Sequence, residues 1–194
     1  MLCMPFLVGD VLRASQHVSR SKCFAPRISM TSAYGPIVAT GAEWIGNGVG
    51  SSLFAIHALL ADVQQEIHVL AYSITSGSDE LLHALRENLA RGICVTMVIN
   101  RIDEQQPSVT KVLREMTTSY KYFRLYSYEA AGSDLHAKAI VVDRNRGLIG
   151  SSNFSARGMH HNLELGAMVN GEGAWIVAGL VDRLIEAGAV RTWR

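Results

Sequence analysis

The sequence predicts an α/β protein in which a mixed β-sheet is flanked by helices on both faces. Three observations lead there. Segments with apolar residues at helical spacing alternate with short, continuously apolar, β-branched runs. The later runs follow one another without long helices between them, so the sheet is mixed. No repeat, low-complexity tract or linker interrupts the chain after residue 36, so the 194 residues read as one catalytic-sized domain, 36–194, behind an N-terminal extension, 1–35.

The extension differs from the rest. Up to Ala42 its only acid is Asp10, set against Arg13, Arg20, Lys22 and Arg27, and serines are frequent. That composition fits a targeting segment or a disordered tail. It lacks the basic start and continuous apolar core of a secretory signal.

The elements then follow in order. "SSLFAIHALLADVQQ" sets Leu53, Ile56, Leu60 and Val63 on one helical face. "EIHVLAYSIT" is a buried strand. Ser78 is placed to cap "DELLHALRENLARG", with Asp79 and Glu80 in the first turn and Gly92 at the end. "ICVTMVIN" is a second buried strand. Pro107 opens a helix to about Met116, and "YKYFRLYSY" alternates as a strand. "AKAIVVD" and "GLIGSS" are strands around a turn at Arg144–Arg146, "LELGAMVN" is another, and "GAWIVAGLVDRLIEAG" is the closing helix.

Composition excludes some functions. A net charge of +1 is not that of a nucleic-acid coat protein, although a local basic patch remains open. Cys3, Cys23 and Cys94 form no CxxC, which argues against a disulfide framework or zinc site and for a reducing, cytoplasmic setting. No apolar run reaches the length of a membrane span.

The chemistry concentrates in "DLHAKAIVVDRNRGLIGSSN", residues 134–153. His136 and Lys138 are two apart on a strand, so both project to one side, roughly 7 Å apart along the backbone. "GSSN" follows the next strand, where Gly150 allows close backbone approach and Ser151 and Asn153 offer donors. This set suits a phosphodiester. Charge on its oxygens grows in a pentavalent transition state, and Lys138, Asn153 and Ser151 would meet it. His136 can attack at neutral pH without a metal. Its other nitrogen needs an acceptor. Glu164 on the next strand is preferred to Asp143, which points away from His136 in a regular strand and would tie down the turn of Arg144 and Arg146.

His136-x-Lys138-x4-Asp143-x6-Gly150-Ser151-x-Asn153 resembles the complete HKD motif of the phospholipase D superfamily. With one copy in a short chain, and with Asn162-x-Glu164 downstream, the sequence is similar to the small single-motif endonuclease subgroup over residues 50–190. The resemblance implies the phospholipase D-like α-β-α sandwich. It implies catalytic roles for His136, Lys138, Asp143, Ser151, Asn153 and Glu164, no metal or other cofactor, and double displacement through a phosphohistidine. It further implies a homodimer whose second histidine completes the site. The leaving oxygen needs a proton, and a second His136 across a two-fold axis would give it.

Substrate contacts are expected from Arg144, Arg146 and Arg157, which flank the motif, and from Tyr126. Tyr122, Arg124, Tyr126 and Tyr128 would share one strand face and stack on bases. "EWIGNGVG" reads as a loop at the rim, and His160 and His161 as exposed loop residues. Non-specific DNA cleavage, with RNA as a further substrate, is the first expectation, in a setting such as defence against foreign DNA. A lipid phosphodiesterase or phosphatidyltransferase is the second, and it should show an exposed apolar docking patch. A non-catalytic nucleic-acid-binding module is the third.

Overall fold

The structure is a computed structural model that describes residues 35–194. The extension, with Cys3 and Cys23, lies outside the described residues but for Gly35.

The elements are β1 Ile37–Thr40, β2 Val49–Ser51, α1 Ser52–Ala61, β3 Glu66–Ala71, α2 Asp79–Ala90, β4 Cys94–Asn100, α3 Pro107–Ser119, β5 Phe123–Tyr128, β6 Ala139–Val142, β7 Arg146–Gly150, β8 Glu164–Asn170, α4 Glu172–Glu186 and β9 Val190–Thr192. Among the described residues the nine strands form one sheet in the order β2-β1-β8-β7-β6-β3-β4-β5-β9. The run β3-β4-β5 is parallel, because α2 and α3 cross back between its strands. The block β3-β6-β7-β8-β1 is antiparallel. The predicted mixed sheet is therefore what forms.

Strand alternation sorts the side chains. Ile67, Val69 and Ala71 face α1, α2 and α3 in the larger core, with Leu85, Met97, Ile99, Leu113 and Ile140. Leu70, Val98 and Ala139 face the other way, onto Val181 of α4. Three helices cover one face and one helix covers part of the other. The α4 layer leaves Ile37, Ile149 and Leu165 of the β1-β8-β7 region exposed.

The local signals hold with one adjustment. Pro107 is at the first turn of α3, where its missing N–H costs nothing. Ser78 does take the N-cap position of α2, but its hydroxyl donates back to the Thr75 carbonyl at 2.8 Å instead of accepting from the helix. The acids Asp79 and Glu80 complement the helix dipole in its place.

Register sets where the site falls. Leu70 pairs with Ala139, Ala139 with Ile149, and Gly150 with Gly166. The C-terminal end of β3, the start of β6, the end of β7 and the start of β8 therefore meet at one edge of the sheet. Gly150 is needed there: a Cβ would lie 2.9 Å from the Leu165 carbonyl oxygen.

Candidate active site

His136 and Lys138 enter just before β6, where the strand pairing is still guided by a Gly150 N–H bond to the Lys138 carbonyl at 3.1 Å. Lys138 Nζ lies 3.0 Å from Nδ1 and 3.1 Å from Nε2 of His136, and donates to the His136 carbonyl at 3.0 Å. The predicted common side of the two residues is what the structure shows. His136 is exposed. Lys138 is only 7% exposed, and that burial holds its ammonium below the ordinary lysine value, against an opposing pull from Glu164.

The segment leading into His136 is clamped from β4. Asn100, itself buried, accepts from the Leu135 N–H at 2.9 Å and donates to Asp134 at 3.2 Å. Arg101 adds a bond to Asp134 at 3.1 Å and holds that carboxyl below the usual range. Tyr72, directly after β3, packs its ring 4.5 Å from the His136 ring at a tilt of 52°. Sequence reasoning missed both Asn100 and Tyr72. Tyr72 follows β3 and Asn100 ends β4, at the end where parallel strands deliver functional residues.

The "GSSN" segment closes the other side. Ser151 donates to Glu164 in a short bond and accepts from the Leu165 N–H at 3.1 Å. Asn162 donates to the second Glu164 oxygen at 3.0 Å. Glu164 is thus held by Ser151 and Asn162, and the expected bond from Glu164 to His136 is not formed within the chain. The Asn153 Oδ1 is buried and has no hydrogen-bond partner among the described residues. The predicted loop after it is instead a single π-turn, Arg157–His161, closed by Asn162 N–H to the Arg157 carbonyl at 2.7 Å. Gly158 makes that turn feasible, since a Cβ would sit 2.3 Å from the Asn153 carbonyl oxygen.

Four expected site residues stand elsewhere. Asp143 is at the far end of β6, about 17 Å of strand from Lys138. Its carboxylate accepts from the Gln64, Gln65 and Glu66 N–H groups at 3.0, 2.8 and 3.1 Å, fixing the entry to β3. Arg144 bonds Glu66 and Asp182, each at 2.6 Å, next to buried His68. Arg146 pairs with Asp62 at 3.5 Å. These arginines are occupied by carboxylates and do not reach the His136 end. Tyr126 packs against the Leu70, Val98 and Ala139 cluster, so its ring is not a free stacking platform. Arg157 is exposed beside the motif loop and makes no ion pair among the described residues.

Next to Lys138 and Ser151 runs an apolar trough of about 540 Å³, walled by Leu70, Ala139, Ile149, Leu165, Val177 and Leu180. No group of three or more His, Cys, Asp or Glu side chains placed to hold a metal occurs among the described residues. No helix among them is long and apolar enough to cross a membrane.

Comparison with known proteins places this geometry. The family model described as cardiolipin synthase, PLD-like domain, matches residues 56–185. DISARM protein DrmC of Bacillus paralicheniformis is 23% identical over 150 residues, 77% of this chain and 62% of DrmC. Cardiolipin synthase A of Yersinia pseudotuberculosis is 29% identical over 134 residues, 66% of this chain but 27% of that protein. The chain therefore spans less than two thirds of both relatives. The fold matches the crystal structure of Nuc, a phospholipase D family member from Salmonella typhimurium, with a TM-score of 0.61 at 20% identity, over 81% of this chain and 97% of Nuc.

Proposed function

The chain belongs to the cardiolipin synthase, phospholipase D-like domain family of the phosphodiesterase superfamily, and from that premise we propose that it is a metal-independent endonuclease hydrolysing DNA diesters. The observation that carries this reading is the exposed His136 imidazole with the buried Lys138 ammonium 3.0 Å away. A neutral imidazole nitrogen attacks phosphorus, a P–N bond forms and the P–O bond to the leaving nucleoside breaks. Lys138 and the Asn153 amide meet the charge that grows on the phosphoryl oxygens. Ser151, Glu164 and Asn162 brace the loop that carries Asn153. Water then attacks the phosphohistidine and restores the imidazole.

The leaving oxygen takes its proton from His136 of the partner subunit in a two-fold dimer. Because His136 has no carboxylate partner among the described residues, orientation of its ring is also a task left to that assembly. The apolar trough beside Lys138 and Ser151 suits the face that the second copy covers. Arg157, exposed next to the motif loop, would lead the DNA backbone in. Asp143, Arg144 and Arg146 act through the fold.

The trough also favours a second reading, a lipid phosphodiesterase whose acyl chains lie along it. One assay separates the two. Purified protein is incubated with plasmid, single-stranded DNA or phosphatidylcholine vesicles, each with EDTA. DNA cleavage that survives EDTA and is lost in His136→Ala is the expected result. Turnover of lipid alone would replace the first reading with the second, and cleavage abolished by EDTA would overturn the phosphohistidine route.

A further inference from the structure

We infer that Tyr72 is a charge-stabilising residue of the reaction: its ring supports the positive charge that His136 acquires as it attacks phosphorus. The inference rests on the phosphohistidine reading and adds a group outside the motif.

Tyr72 touches both motif side chains. Its ring centroid is 4.5 Å from that of His136 and 5.0 Å from Lys138 Nζ, which lies over the ring. The ring therefore sits against the site's two nitrogen bases, one a fixed cation and the other about to become one. When a neutral imidazole nitrogen takes phosphorus, the P–N bond uses its lone pair, the P–O electrons leave with the alkoxide, and the ring is left cationic. An aromatic face within about 6 Å of a cation attracts it, more strongly where the pair is desolvated. The neutral ring gains little before attack. The contact thus favours the transition state over the ground state, which is the condition for raising rate and not mere binding.

The placement is built. Gln105 donates to the Tyr72 carbonyl at 3.2 Å and accepts from the Ile74 N–H at 3.0 Å. The Thr75 N–H bonds the Phe154 carbonyl at 3.1 Å, tying the Tyr72 loop to the segment that carries Asn153. Tyr72 is half-buried, and its ring lies against His136 on the side where Lys138 stands.

Ring electronics can be changed at nearly constant shape. Tyr72→Phe, Tyr72→Leu and Phe analogues at position 72 with one, two and three ring fluorines are compared on bis(p-nitrophenyl) phosphate in EDTA. Tyr72→Phe should keep kcat within about threefold. Tyr72→Leu should lower kcat about tenfold with KM within about twofold, and log kcat should fall steadily with fluorination. A flat fluorine series, or a fully active Tyr72→Leu, overturns the role. Wild-type protein that leaves this diester intact, or His136→Ala that cleaves it, overturns the phosphohistidine reading and this inference with it. A wild type that cleaves while the series stays flat removes only the role of Tyr72.

Discussion

Lys138 Nζ stands within 3.1 Å of both ring nitrogens of His136 while its own stem is buried under the sheet edge. A fixed positive charge is thus held beside the His136 imidazole. Such a placement costs folding energy, since burial disfavours the ammonium. Lys138→Met should therefore abolish turnover and yet stabilise the fold by roughly 1 kcal/mol, about 2–4 °C in Tm for a domain of this size. The folded value is depressed, so the penalty is full below that value and fades as pH rises through it. The Tm gap between variant and wild type should shrink toward pH 10. Thermal melts at pH 7 and pH 10 check both statements, and an unstabilised Lys138→Met contradicts them.

Asp143 belongs to the motif by sequence and to the scaffold by position. It accepts three backbone N–H groups at the start of β3 and adopts a φ of 50°. Asp143→Ala should cost about 2–3 kcal/mol through those lost acceptors and the positive φ. Asp143→Asn, which tolerates that φ and keeps one oxygen, should cost about half as much. Activity per folded molecule should survive in Asp143→Asn. Denaturant unfolding beside active-fraction assays measures this. A fully stable, inactive Asp143→Asn would return the residue to the chemistry.

His68 is 4% exposed beneath α4, and its Nδ1 has no hydrogen-bond partner among the described residues. Burial pushes its imidazole below the ordinary value, aided by Arg144 and Arg124 and opposed by Glu66 and Asp182. The folded state therefore carries a neutral ring where the unfolded chain binds a proton. Stability is fully present above about pH 6.5 and declines as pH falls from there toward the folded value. Asp182, held low by Arg144, adds its own loss only in stronger acid. Tm should drop between pH 7 and pH 5, and His68→Gln should flatten that drop. An unchanged slope in His68→Gln contradicts this.

Asn100 holds the approach to His136 without reaching the site. Asn100→Leu should lower kcat about tenfold with a fold that stays cooperative, because Leu135 loses its anchor and the His136 ring wanders. Rates on a small diester, together with the melting curve, test it.

Much of this was legible in the sequence because strong local patterns agree with the fold. The runs at β3, β4, β6 and β8 are apolar segments, and the HKD spacing places His136 and Lys138 just before one strand and Ser151 and Asn153 just after its neighbour. Strands β1, β2 and β9 were not legible, since runs of three or four residues carry no periodicity. Contacts between distant segments were hidden too. Nothing local in "AYSIT" or "VINRI" announces that Tyr72 and Asn100 converge on His136. Flanking arginines looked like phosphate ligands because charge in a sequence does not show its partner. Glu66, Asp182 and Asp62 were 38 to 84 residues away from Arg144 and Arg146.

The proposed nuclease would form a covalent bond between phosphorus and His136. Protein mixed with a labelled DNA diester in EDTA and quenched within milliseconds in alkali should carry an acid-labile phosphoryl adduct on the peptide containing His136. It should be absent in His136→Ala. Cleavage that proceeds at full rate with no adduct at any quench time, or an adduct on another residue, would contradict the account.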